Sequence, residues 1–308
     1  MKKWESLQKG DLIDVVAPGS VVPEAVLQSG VKYLEDLGYR VRVSPDIFSK
    51  HIFHSNSDEY RFKDLKKALY AKDSKAIWCI RGGYGSLRLL PYLEKLKAPK
   101  RAKIFIGISD VTSIHNFLIQ NWKWPVLHGT LLDRLGSGKL PKDCEMDLWE
   151  ILEGRTKSCV FSGLQPLNKK AQKCKKAKGL LVGGNLTVIQ SSVGTPSQLK
   201  TKGCLIFFED LSERGYRIDR MLEHLKQAGV FKNCAGIIFG QFTEGQEKSG
   251  EDFVPMALKR FADEIQKPVW TGLRSGHDVD LWTLPMGEVA VVSKVEKESK
   301  LVVSVSHL

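Results

Sequence analysis

Between Lys103 and His115 the chain goes from strand to helix with almost no room to turn, and this transition restricts the fold more than any other segment. Lys103-Ile104-Phe105-Ile106-Gly107-Ile108 is a short, apolar, isoleucine-rich run of the kind that forms a buried strand. The residues that follow, Ser109-Asp110-Val111-Thr112-Ser113-Ile114-His115, carry the spacing of an amphipathic helix. The same order repeats around it. Residues 12–18 read as a strand and 23–38 as a helix stopped by glycine, and 40–44 is a second strand before a longer helix at 57–72. Then come a strand at 76–81, a helix at 86–96, the 103–108 strand with its helix, a short strand at 125–129 and a helix at 141–152. Such alternation predicts an α/β fold with a doubly wound, mostly parallel sheet over residues 1–155.

A glycine, a proline and a lysine run cluster after Glu153, which predicts a linker over 156–176. Residues 177–308 read as a second, mixed α+β domain. Its expected strands fall at 179–182, 204–208, 235–242 and 268–273, with helices at 185–192, 218–229 and 251–266. Residues 288–295 and 300–306 alternate as an antiparallel pair, so this domain is expected to end in a β-rich, barrel-like region.

Ser109 falls on the sharp turn between its strand and helix. Such a turn lifts a hydroxyl clear of the sheet and aims the first free N–H groups of the helix at whatever the hydroxyl attacks. Gly107-Ile108-Ser109 alone is also what an N-capping serine produces, and Val111 stands where a hydrolase elbow carries its second glycine. Two further residues complete a constellation. The 204–208 strand delivers Glu209 at its carboxyl end, and the 268–273 strand leads into Arg274-Ser275-Gly276-His277. A serine, an acid and a histidine at strand ends lie where open α/β sheets place ligand sites. Taken singly, Glu209 also reads as a solvated carboxylate and His277 as a turn histidine. Arg81-Gly82-Gly83-Tyr84-Gly85-Ser86 lacks both the Gly-Lys-Ser/Thr ending and the Gly-x-Gly-x-x-Gly spacing of nucleotide loops. Its glycines permit close backbone approach, so Gly83 and Asp110 are candidate oxyanion donors; a tight structural turn is the competing reading.

Six dispersed cysteines with no Cys-x-x-Cys suggest neither a metal site nor a disulfide framework. No apolar run of about eighteen residues exists, so no membrane helix is expected. The stretch 12–17 contains Asp14 and fits a first strand better than a secretory core, which points to a cytoplasmic protein. The net charge of +12 raises nucleic acid as a partner, but much of the excess sits in the 169–178 lysine run, which lacks interleaved aromatics. No nucleic-acid role is expected.

Several segments together resemble the LD-carboxypeptidases, serine peptidases of cell-wall recycling that also include the microcin C immunity peptidases. They are Val15-Val16-Ala17-Pro18-Gly19-Ser20, the 80–90 glycine segment, Gly107-Ile108-Ser109-Asp110-Val111-Thr112 and His128-Gly129. The second half adds Gly183-Gly184-Asn185-Leu186, Phe208-Glu209-Asp210, Tyr216-Arg217-Ile218-Asp219-Arg220-Met221-Leu222, Gly276-His277 and Thr283-Leu284-Pro285-Met286-Gly287. The resemblance implies Ser109 as nucleophile, Glu209 as acid and His277 as base, with no metal or organic cofactor. It implies a murein tetrapeptide substrate cut before its terminal D-alanine, a site in the cleft between the domains, and a homodimer. Arg81 and Arg217 are candidates for holding the substrate's terminal carboxylate, and each also reads as an ordinary ion-pair partner. The alternatives are an immunity-type peptidase acting on a peptidyl or aminoacyl nucleotide, and a non-catalytic small-peptide-binding protein.

Overall fold

Five short segments in the first 130 residues become parallel strands in the computed structural model, which describes residues 1–295 and 298–308. The chain divides into two units, Met1–Lys157 with Val305–Leu308, and Ser158–Ser304.

In the first unit, β1 (Leu12–Val16) is followed by α1 (Glu24–Asp36), β2 (Arg40–Val43), α2 (Asp58–Tyr70) and β3 (Ser74–Cys79). Ser57 caps α2, its hydroxyl accepting from the Tyr60 N–H at 3.2 Å. The expected helix at 86–96 is shorter and broken. Residues Ser86–Leu89 form a 3-10 turn and only Leu90–Leu93 (α3) is α-helical. Pro91 supplies no N–H to carry the first turn into the second, so the helix restarts there. β4 (Ile104–Gly107) then leads into the Ser109 turn and α4 (Thr112–Phe117), and β5 (Val126–His128) precedes α5 (Leu132–Gly136) and α6 (Lys142–Leu152). The five strands run in the order β2-β1-β3-β4-β5. Ile77, Trp78, Ile104, Phe105 and Ile106 are fully buried, which is why the central strands β3 and β4 carry continuous apolar runs, whereas the edge strand β2, Arg40-Val41-Arg42-Val43, alternates. Strand order reverses between β1 and β3, and a doubly wound sheet opens a ligand crevice at the carboxyl ends of such a pair. The loops leaving those two ends are Ala17-Pro18-Gly19-Ser20 and Arg81-Gly82-Gly83.

The second unit begins inside the stretch expected to be a linker. Residues 156–176 instead hold β6 (Ser158–Pro166) and α7 (Lys169–Lys173). In β6 burial alternates through Cys159 and Phe161, and a register shift against β13 then brings Leu164 inward. The lysine run is a short helix capped by Asn168, whose side chain accepts from the Ala171 N–H at 2.9 Å. It is followed by β7 (Lys176–Asn185), α8 (Leu186–Ser191), β8 (Leu205–Leu211), α9 (Gly215–Gln227), β9 (Gly236–Thr243), α10 (Val254–Glu264) and β10 (Val269–Thr271). β11 (Leu284–Met286) precedes the closing pair β12 (Val289–Val295) and β13 (Glu298–Ser304). β12 and β13 pair antiparallel, as their alternation predicts, and the barrel-like end is a closed barrel ordered β10-β6-β13-β12-β7-β8-β9. Closure leaves no free sheet edge. Leu181, Leu205, Phe207, Ile237 and Phe239 are fully buried among its strands. The last four residues do not stay with this unit. His307 packs edge-on against Trp4 at 4.3 Å and Val305 N–H donates to Lys157, returning the terminus to the first unit.

Among the described residues no helix is long and apolar enough to cross a membrane, and no group of three or more His, Cys, Asp or Glu is placed to hold a metal ion.

Candidate functional site

Ser109 has φ +67°, the left-handed region that a residue with a Cβ enters at a cost of about 1–3 kcal/mol. It is one of four non-glycine residues with positive φ among those described. An N-capping serine sits in extended backbone and needs no such strain, so the capping reading does not fit. The conformation tightens the first turn, Ser109–Val111, to 3-10 geometry and presents the serine at the end of β4.

The glycine loop after β3 packs directly on this serine. A Cβ added to Gly82 would lie 2.7 Å from Ser109 Cβ and 3.0 Å from Ser109 Oγ, so no other residue fits at that position. Gly83 has φ +84°, and a Cβ there would collide with the Ser20 side chain. Ser20 holds the loop from the β1 side, its N–H donating to Gly82 O at 2.9 Å and its hydroxyl accepting from the Tyr84 N–H at 3.1 Å. The Asp110 carboxylate holds it from below, accepting from the Ser86 N–H at 2.7 Å. Burial pushes the Asp110 carboxyl above its ordinary range, against the pull of that hydrogen bond and of the Arg61 charge.

Arg61 was not foreseen. Its buried guanidinium donates to Asn56 O at 3.1 Å, to Gly85 O at 3.0 Å and to Pro18 O, and pairs with Asp58 at 2.5 Å. It therefore ties the β1 loop, the glycine loop and the start of α2 together. The available signal was a charged side chain on the face of α2 that otherwise presents Leu65 and Leu69 to the core.

In the second unit, Glu209 and His277 are brought together. Glu209 is fully buried, and His277 Nδ1 lies 2.5 Å from its Oε2. An ionised carboxylate only accepts, so Nδ1 carries the proton of this bond and proton exchange falls to Nε2. Glu209 does not follow the strand, as the sequence suggested. β8 runs on to Leu211, and Glu209 sits within it at a register shift between Phe208 and Asp210. The irregularity lets two consecutive carboxylates be buried.

Those two carboxylates have different surroundings. Asp210 accepts from Asn185 Nδ2, Thr187 N–H and Leu211 N–H, each at 2.9 Å, and from Thr187 Oγ1 at 2.8 Å. Burial and the Glu209 charge raise it to about 6, against those hydrogen bonds. Asp210 is thus a structural anchor joining β8 to the start of α8. Glu209 Oε1 has no hydrogen-bond partner among the described residues, a costly arrangement for a group whose only role is stability.

The turn bearing His277 is fixed by Gln241, also missed in the sequence. Its N–H donates to Ser275 O at 3.0 Å, its Oε1 accepts from the Asp278 N–H at 3.3 Å, and its amide nitrogen donates to Asp280 at 2.5 Å. A polar residue near the end of the apolar β9 run was the visible clue. The two candidate arginines are both ion-paired: Arg81 lies 3.9 Å from Asp133, and Arg217 lies 3.4 Å from Glu213. His115 is not a competing base in its present state, since complete burial lowers its pKa to about 3.

Comparison with known proteins shows the family. Residues 13–129 match the LD-carboxypeptidase N-terminal domain and residues 178–292 the LD-carboxypeptidase C-terminal domain. A Rickettsia conorii protein is 40% identical over 268 residues, covering 86% of this chain and 82% of its own length. A Bacillus subtilis protein named as a probable murein peptide carboxypeptidase is 30% identical, covering 99% and 96%. The crystal structure of a muramoyltetrapeptide carboxypeptidase from Oxalobacter formigenes superposes with a TM-score of 0.86 at 28% identity, over 96% of this chain and 100% of that one.

Proposed function

We propose that this chain, which belongs to the LD-carboxypeptidase family and is a serine-type peptidase, releases the terminal D-alanine of murein tetrapeptides. The buried Glu209–His277 hydrogen bond carries the catalytic reading, because it fixes an imidazole tautomer for which the fold offers no structural need. The murein substrate is supported by the names of the B. subtilis and O. formigenes relatives.

In this mechanism Ser109 Oγ attacks the carbonyl of the L-centre while His277 Nε2 takes its proton. Glu209 stabilises the imidazolium that forms and does not itself become protonated. The N–H groups of Gly83 and Asp110 receive the oxyanion. His277 then protonates the leaving D-alanine nitrogen, and water repeats the sequence on the acyl-enzyme. The strain at Ser109 and the clamp of Ser20, Asp110 and Arg61 on the glycine loop set the donors in place before substrate arrives, which is what makes such donors effective. Gly83→Ala should disturb this geometry through both the collision with Ser20 and the positive φ. A fall in kcat of roughly a hundredfold or more is expected, with KM little changed. Wild-type kcat in a folded Gly83→Ala protein would remove Gly83 from the oxyanion site.

The direct test is incubation with murein tetrapeptide and detection of free D-alanine by mass spectrometry. A carboxypeptidase must also read the free carboxylate of the residue it removes, and an anion buried there needs charged or N–H donors. Amidating the terminal D-alanine should therefore lower kcat/KM by at least about a hundredfold. Equal hydrolysis of acid and amide would exclude carboxylate reading and favour the peptidyl-nucleotide alternative.

A further inference from the structure

Opposite the Ser109 turn, at the amino-terminal ends of β3 and β4, the first unit contains a cavity of about 670 Å³. That volume lies within the usual range of small-molecule sites, roughly 300–1,000 Å³. Six cationic side chains line it, Lys72, Lys75, Lys97, Lys100, Arg101 and Lys103, against two carboxylates, Glu5 and Asp73. The carboxylates are already engaged. Asp73 pairs with Arg42 at 2.9 Å, and Glu5 is shared between Lys75 and Arg101, each at 3.5 Å. Lys72, Lys97 and Lys100 have no ion-pair partner among the described residues. Lys103 is buried in the wall, donating to Ala68 O at 2.6 Å and Ser74 Oγ at 2.7 Å, and burial lowers its pKa to about 8. A concave site with this excess of positive charge lowers the energy of an anion placed inside it.

The remaining lining is apolar. Leu69, Tyr70, Ala98 and Pro99 contribute to it, and Tyr70 is 40% exposed. We propose that this cavity binds a small organic polyanion of the nucleoside di- or triphosphate class, with its phosphates on Lys72, Lys97, Lys100 and Arg101 and its base against Tyr70. Three or more negative charges match the three unpaired lysines and Arg101, and a flat ring matches the apolar wall beside them. The concavity favours a compact ligand over a membrane surface or a long nucleic acid, which would need a basic strip across open surface. The site stands on residues at the start of β4, whereas the proposed chemistry follows its end, so the two are separately testable.

The experiment is isothermal titration of the intact protein with ADP, adenosine and inorganic pyrophosphate at about 0.15 M salt, where surface attraction beyond about 8 Å is screened. ADP should bind with Kd below about 1 mM and at least about tenfold more tightly than either fragment, since each fragment meets only half of the site. Lys97→Glu/Lys100→Glu should weaken ADP by at least about tenfold while leaving tetrapeptide hydrolysis and the thermal midpoint unchanged. Lys97→Ala/Lys100→Ala gives the same reading if charge reversal perturbs folding. Absence of ADP binding, binding that survives these substitutions, or a fragment as tight as ADP would each overturn the proposal.

Discussion

Ser109→Ala should lower kcat by roughly a millionfold, the loss seen when a serine nucleophile acting with its base is removed. The fold should be intact, because alanine keeps the Cβ that packs against Gly82 and loses only the oxygen. The backbone at φ +67° makes a second, independent expectation. Alanine in that region keeps the clash between Cβ and backbone, whereas glycine has none. Ser109→Gly should therefore be more stable than Ser109→Ala by about 1 kcal/mol, while equally inactive. Denaturant unfolding of the two variants reads the strain, and release of D-alanine reads the chemistry. Turnover within about tenfold of wild type in either variant would eliminate Ser109 as nucleophile. Equal stability of the two would mean that the turn, although left-handed, is not strained.

The central strands of the sheet were legible because burial on both faces leaves an apolar signature, and the edge strand β2 because its arginines and valines alternate. β4 and the turn after it show this directly, as Ile104 to Ile108 cannot be read as anything but a core strand. The positive φ of Ser109 was not legible, since glycine is the residue that announces it and serine stands there instead. β6 was hidden for a different reason. Cys159 and Phe161 start a period-two pattern, but a register shift breaks it before Leu164, Gly163 and Pro166 lie within the strand, and a lysine run follows. Those breakers are tolerated because the strand is one wall of a closed barrel, a tertiary fact that local composition does not carry. Barrel closure itself needed pairings between residues more than a hundred positions apart, such as Trp270 with Pro166.

For the site, the sequence yielded the residues proposed to do chemistry and not those that hold them. Ser109, Glu209 and His277 have functional types just after apolar runs, which is a local pattern, although Glu209 lies inside β8 rather than past its end. Arg61 and Gln241 act through backbone carbonyls and N–H groups far along the chain, and any arginine or glutamine in a helix or strand looks the same before folding. Their importance comes from burial. A guanidinium inside the protein must find an acceptor for each donor, and here the acceptors are the loops that shape the glycine turn.

The choice between neighbouring carboxylates is the most demanding test of the proposed triad. Glu209→Gln should reduce kcat by roughly ten-thousandfold with little change in KM, because the carboxylate orients and stabilises the imidazolium chiefly in the transition state. Glutamine keeps the shape of the side chain, but its amide nitrogen has no lone pair for the His277 Nδ1–H and, turned toward it, demands the wrong tautomer. Asp210→Asn should behave in the opposite way. It replaces one accepting oxygen with a donor facing Thr187 or Asn185, so about 1–3 kcal/mol of stability should be lost. Its effect on kcat should be far smaller than that of Glu209→Gln, provided that turnover is measured below the variant's unfolding range. The two variants therefore separate on a plot of thermal midpoint against kcat, one displaced along each axis. A crippling loss of kcat in Asp210→Asn with near-normal turnover in Glu209→Gln would reverse the assignment, and would make the 2.5 Å contact between Glu209 and His277 a structural bond rather than a catalytic one.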